Sequence, residues 1–163
     1  KGDQMDDPIL VQRLDDDAEN RITCDQILSK LPDWFGPFEV YEEYLDDLKT
    51  RPVFGVTVAG RVVGIMALSD TSDAAMDIHV MAVLPQHHGR GIGGALVRHA
   101  KMFAGECGKS FLTVKTLGPS HKNDHYPKTH AFYKATGFSP IEENADFWGE
   151  GYPMLLLCMP LPG

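Results

Sequence analysis

Cysteine is scarce in this 163-residue chain, and long apolar runs are missing. Cys24, Cys107 and Cys158 are odd in number, far apart and set among apolar neighbours. That pattern predicts reduced, packed, intracellular thiols rather than a disulfide framework. No apolar segment nears the ~18 residues a membrane span requires; the longest obvious run, Met154 to Met159, is strand-sized. The N-terminal residues are acidic with no apolar segment behind them, so no signal peptide is expected and a cytoplasmic location is. There is no internal repeat and no low-complexity tract. Positive charge is in deficit, with 15 Lys and Arg against 23 Asp and Glu and a net charge of −8. A general nucleic-acid binder needs a basic face, so no nucleic-acid partner is expected. His121, His125 and His130 match no metal-ligand spacing and no cysteine joins them, so no metal is expected either.

What is present is an ordinary globular composition, 43% hydrophobic and 23% charged. The length predicts one domain over residues 1–163. The charge is unevenly spread. Between Gln86 and Lys134 stand eight basic residues and two acidic ones, a net of +6, which leaves −14 for the rest of the chain.

The periodicities predict a mixed α/β (α+β) sheet domain in the order β-α-α-β-β-β-α-β-α-β-β. A strand at 9–14 runs into Asp15-Asp16-Asp17, which suits a helix N-terminus. The helix that follows, to about Leu31, is expected to turn Ile22, Ile27, Leu28 and Leu31 inward. Trp34 and Phe35 lie in a turn before a second helix carrying Phe38, Tyr41, Leu45 and Leu48, with Glu42, Glu43, Asp46 and Asp47 on its other side. Val53–Val58 and Arg61–Leu68 flank Ala59-Gly60, a hairpin signal. Ala75–Leu84 is a long strand with Asp77, His79, Met81 and Val83 on one face. A helix from about Gly91 to Ala104 has the stripe Ile92, Ala95, Leu96, His99, Met102 and Phe103. Phe111–Leu117 is a strand, Thr129–Ala135 a short helix stopped by Gly137, and Ser139–Glu142 and Tyr152–Met159 are the last strands.

The segment Gln86-His87-His88-Gly89-Arg90-Gly91-Ile92-Gly93-Gly94-Ala95 sits between a strand and a helix. Glycines there let backbone N–H groups converge on one point, and the helix dipole adds partial positive charge: a cradle for a pyrophosphate. Gly89, Gly91 and Gly94 also satisfy G-x-G-x-x-G, but a dinucleotide fold wants an acidic residue about 20 positions on. Val114, Lys115 and Thr116 occupy that place.

His88-Gly89-Arg90-Gly91-Ile92-Gly93 resembles the Q/R-x-x-G-x-G/A acyl-CoA signature of the GNAT superfamily of N-acyltransferases. About 40 residues on, Ala131-Phe132-Tyr133-Lys134-Ala135-Thr136-Gly137-Phe138 resembles that superfamily's A-x-x-F-Y-x-x-x-G-F segment. The strand order matches over nearly the whole chain, and Trp34-Phe35-Gly36 and Val114–Ser120 look like a bacterial subgroup. His88 stands where Gln or Arg is usual, and Tyr126 where an Asn often helps hold the cofactor.

The resemblance implies a GNAT-like fold and an N-acetyltransferase that uses acetyl-CoA as co-substrate. Cofactor contacts would come from Met81, Ala82 and Val83 through an open strand edge, from His88, Gly89, Arg90, Gly91, Ile92, Gly93, Gly94 and Ala95 in the turn, and from Tyr126 and Tyr133. Attack requires a neutral amine, whose proton a carboxylate or imidazole can take. Asp77 stands where many members carry that base, His79 shares its face, and a water relay is a third route. Tyr133 matches the tyrosine proposed to protonate the leaving thiolate. Trp34 and Phe35 would wall the mouth for a small-molecule amine acceptor, of the aminoglycoside or polyamine kind. An acceptor on a protein N-terminus or lysine, a non-catalytic acyl-CoA sensor and a homodimer all stay open.

Overall fold

The structure, a computed structural model, describes residues 8–31, 38–121 and 126–163. Its elements are β1 (Val11–Arg13), α1 (Asp17–Leu28), α2 (Phe38–Asp47), β2 (Val53–Val58), β3 (Arg61–Asp70), β4 (Ala75–Val83), α3 (Ile92–Glu106), β5 (Phe111–Leu117), α4 (Tyr126–Thr136), β6 (Ser139–Asn144) and β7 (Met154–Pro160). This is the predicted order. The strands form one sheet, β1-β2-β3-β4-β5-β7-β6, antiparallel except between β4 and β5. Ala59 and Gly60, both with positive φ, close the β2–β3 hairpin as expected.

Several local expectations are corrected. Asp16 caps α1, accepting from the Glu19 N–H at 2.9 Å, but Ile22 is 58% exposed. The inward face is Asn20, Cys24, Ile27 and Leu28. Their spacing of four, three and one keeps them on one stripe, and Ile22 lies on the opposite side of the turn. In α3, Met102 is exposed, and Ile92, Leu96, Ala100 and Ala104 fill the buried i+4 row instead; the two alanines bring the helix close to the sheet. Cys107 is exposed rather than packed, since it lies past the end of α3. Part of the acidic face of α2 is engaged by a neighbouring helix. Arg21 of α1 donates to Glu42 at 2.7 Å and to Asp46 at 2.6 Å, tying the two helices together.

One irregularity positions the site. The β3–β4 register passes from Ala67↔Val80 to Leu68↔Ile78, so His79 is an extra residue, a β-bulge. At the same level β4 and β5 part. Their parallel pairing covers only Ala75↔Phe111 to Ile78↔Val114. Beyond Val114, β5 stays with β7. Among the described residues, the β4 backbone from His79 to Val83 therefore has no strand on its β5 side. No helix among them is long and apolar enough to cross a membrane.

Candidate active site

The open stretch of β4 leads into a tight turn. Leu84 and Pro85 each accept a backbone N–H from three residues on, and a ring N–H of His88 donates to the Val83 carbonyl at 2.6 Å. Gly89 (φ 75°) and Gly91 (φ 83°) adopt the left-handed conformation that costs other residues about 1–2 kcal/mol. Gly91 then begins α3 by accepting the Ala95 N–H at 3.0 Å. The N–H groups of the first turn of α3 have no partner within the helix and sit at the positive end of its dipole.

These groups border a cavity of about 790 Å³. Its walls are Met81, Ala82 and Val83 of β4, His87, His88 and Gly89 of the turn, and Gly91, Ile92, Gly93 and Gly94 at the head of α3. Leu31 and the α4 residues Lys128, Thr129, Phe132, Tyr133, Ala135 and Thr136 complete it. Among the described residues, no carboxylate lines it. A mouth of free N–H groups, two histidines and a lysine suits a pyrophosphate, and an exposed strand edge suits a chain of amides, so these residues fit an acyl-CoA.

Of the residues predicted to hold that cofactor, Arg90, Ala95 and Tyr126 are not on the wall. The exposed Arg90 guanidinium lies 3.5 Å from Nδ1 of His87. Ala95 is on the buried side of α3, and Tyr126 is buried at the start of α4 with its ring 6.3 Å from that of His130. Sequence reasoning missed His87 and the α4 face of Lys128, Thr129, Phe132 and Thr136. The helical spacing of those four was the available signal, obscured by placing the helix start at Thr129.

Tyr133 reaches the cavity but is only 4% exposed, edge-on to Phe132 and Phe138. Burial first, and then the negative charge of Asp77, push its pKa up, so the phenol is firmly protonated. Asp77 and His79 do not line the cavity. They belong to a polar cluster where β4 and β5 part. Asp77 is 5% exposed; its Oδ1 accepts from Thr113 Oγ1 at 2.6 Å and lies 3.3 Å from Nζ of Lys115. Burial raises its pKa, opposed by the Lys115 charge, the Thr113 hydrogen bond and Arg51.

The ring of His79 packs 4.6 Å from that of Tyr44. Burial, then the positive charges of Arg51 and Lys115, lower its pKa to about 4. It is neutral at pH 7, so its 3.6 Å approach to Asp47 is dipolar rather than an ion pair, and its buried Nε2 has no hydrogen-bond partner among the described residues. Burial, Asp77 and Asp47 push Tyr44 to about 12 against the pull of Arg51. Trp34, Phe35 and His125 lie outside the described residues. His130 bonds the Leu117 carbonyl through Nε2 at 2.8 Å, and His121 stacks on Tyr152.

Residues 50–140 match the family described as Acetyltransferase (GNAT) domain. Over 122 residues the chain is 32% identical to a streptothricin acetyltransferase from Streptomyces lavendulae, an alignment covering 72% of this chain. The match spans 61% of that relative's length. A solved structure described as of the GNAT family, from Desulfovibrio desulfuricans, superposes with a TM-score of 0.79 at 18% identity, covering 95% of this chain and all of the other. A GNAT acetyltransferase from Elizabethkingia anophelis, solved with acetyl-CoA bound, gives 0.71 at 20% identity over 95% of this chain and 99% of the other.

Proposed function

Because the chain belongs to the GNAT acetyltransferase family, we propose that it transfers the acetyl group of acetyl-CoA directly to the primary amine of a small cationic acceptor. The observation that carries this reading is the 790 Å³ cavity itself: it joins the glycine turn and the unpaired β4 edge at one end to the Tyr133 phenol. Support for the donor comes from the family and from the acetyl-CoA-bound relative. Support for the acceptor comes from the streptothricin acetyltransferase, together with the acidic balance of the chain outside the basic window.

Acetyl-CoA supplies an activated thioester. The N–H groups at the head of α3, with Lys128 and His88, hold its phosphates, and the β4 edge at Met81–Val83 takes up its amides. A neutral amine attacks the carbonyl carbon with its lone pair, the C–S bond breaks, and the proton left over on the nitrogen makes good the one that the departing thiolate takes. An alkyl ammonium has a pKa near 10.4, so the amine arrives protonated and a fixed base must first take one proton to free the lone pair. Asp77 is assigned this part, through a water if the amine stops at the cavity wall. His79, neutral at pH 7, offers its unpartnered Nε2 to the same amine. Tyr133 gives its proton to the departing thiolate. Trp34 and Phe35 are assigned to the acceptor mouth on the resemblance alone.

The deciding experiment measures CoA released from acetyl-CoA across a panel of streptothricin, aminoglycosides, polyamines and an N-terminal peptide. Turnover with the small cationic amines supports the proposal. Tight acetyl-CoA binding without release for any amine would make the domain an acyl-CoA sensor.

A further inference from the structure

We propose that Lys115 is a positioning residue for the transfer: its ammonium holds the buried Asp77 carboxylate charged and oriented where β4 and β5 separate. This rests on the reading of Asp77 as the proton acceptor.

Three observations converge. First, Lys115 follows Val114, the last β5 residue in register with β4. It is therefore the first residue of β5 that has β7 beside it but no β4 residue in register. Its Nζ turns back to within 3.3 Å of Asp77 Oδ1, with the side chain only 27% exposed. Second, Thr113 lies two residues earlier on the same face of β5, directly beside Asp77 in the register, and donates to the same oxygen at 2.6 Å. One carboxylate oxygen is thus gripped by a hydroxyl and an ammonium from a single strand face. Third, the pair is a poor stabilising device. Desolvating two charges costs about as much as their attraction returns, and apolar residues of equal volume often do better. What the pair does supply is a charge state.

The groups around Asp77 make that charge state consequential. Thr113 and Lys115 face it from β5, Tyr44 from α2, Arg51 from the turn after α2 and Tyr133 from α4. Burial favours the neutral acid, which cannot take a proton. Lys115 and Arg51 favour the carboxylate, which can, and the carboxylate in turn keeps the Tyr133 phenol protonated as a donor. When Asp77 has accepted the amine's proton, the adjacent ammonium favours its release to water, so the site resets. One lysine therefore sets both the acceptor and the donor of the proton pathway without touching the substrate.

The test is a 13C NMR titration of the Asp77 side-chain carboxyl in the whole chain, identified by the signal that Asp77→Asn removes, in wild type, Lys115→Met and Lys115→Arg. Methionine keeps the length and volume of the stem and discards the charge; arginine keeps the charge. An opposite charge at this range lowers a carboxyl pKa by about 1–3 units. The Asp77 midpoint should therefore rise by about that amount in Lys115→Met and return in Lys115→Arg. A midpoint that stays put in Lys115→Met overturns the inference. The acid limb of kcat/KM for CoA release, with the best amine of the panel, should move in step. If the NMR midpoint moves and the acid limb does not, the role of Lys115 toward Asp77 holds and the assignment of Asp77 as proton acceptor fails.

Discussion

Gly93 is the position where fold and proposed cofactor site compete most directly. It lies in the first turn of α3, and a Cβ there would come within 3.0 Å of Phe132 Cζ and 3.1 Å of Cε2. Ordinary contact begins near 3.5 Å, so in Gly93→Ala the ring must retreat by about half an ångström. Two stability effects oppose. Alanine in a helix is favoured over glycine by about 0.8–1.0 kcal/mol. Overpacking costs about 1–3 kcal/mol where nothing gives. Here the ring has Tyr133 edge-on at 5.2 Å on one side, and it forms part of the cavity wall. It can move into empty space, so the packing cost falls at the low end and the two effects nearly cancel. We expect Tm to shift by no more than about 4 °C, given about 2–4 °C per kcal/mol at this size. The displaced ring then occupies volume that acetyl-CoA would use. Loss of about 1.4 kcal/mol of binding, a tenfold rise in KM for acetyl-CoA, is the expected result. Steady-state kinetics with acetyl-CoA varied, beside a thermal melt, reads both quantities. The double variant Gly93→Ala/Phe132→Leu should recover KM, because the shorter side chain makes room for the new methyl. An unchanged KM in Gly93→Ala would refute the idea that this helix contact bounds the cofactor cavity.

Tyr133→Phe should lower kcat by about 10²–10⁴-fold, the usual worth of a positioned proton donor, with the KM for acetyl-CoA little altered; unchanged kcat removes the phenol from the mechanism. Gly91→Ala forces a side chain onto φ 83° and should cost about 1–2 kcal/mol in urea unfolding, and calorimetry should also show weakened acetyl-CoA binding as the turn re-aims its N–H groups. His79 gives a pH-dependent prediction. Its folded pKa, about 4, lies below the unfolded value of 6.5, so the native state binds fewer protons and the stability from a neutral His79 is present above pH 6.5 and lost as pH falls toward 4. The loss should approach about 3 kcal/mol, and urea unfolding at pH 7 and pH 4.5 should show a smaller drop in His79→Leu than in wild type. Equal drops in both proteins would mean that His79 does not drive the acid sensitivity.

Legibility followed range along the chain. The turn from His88 to Gly94 could be read because each requirement is local: positive φ at Gly89 and Gly91, a helix start behind them, basic residues nearby. Tyr133 was legible through the resemblance of Ala131–Phe138 to the family's aromatic segment, an aromatic pair that ends four residues before the stop at Gly137. Errors arose where a periodic pattern had to be given an absolute phase. Ile22 and Met102 fit an apolar stripe, yet Cys24 and Ala100 won the core because small residues let the helices approach the sheet. The mates of the predicted base were beyond such reading. Asp77 and Lys115 stand at opposite ends of a strand–helix–strand crossover, and nothing within a few residues of either announces the other.

By itself, then, the sequence determined the element order, the glycine turn with its charge window, and the tyrosine helix, since backbone preference, helical period and net charge act over a few residues. The tertiary structure alone decided where β4 and β5 part. The bulge at His79 and the end of pairing after Ile78 and Val114 are features of how β4 lies against β3 and β5, and such pairing exists only once strands far apart in the chain lie side by side. It leaves the edge that borders the cavity unpaired and brings Lys115 to Asp77.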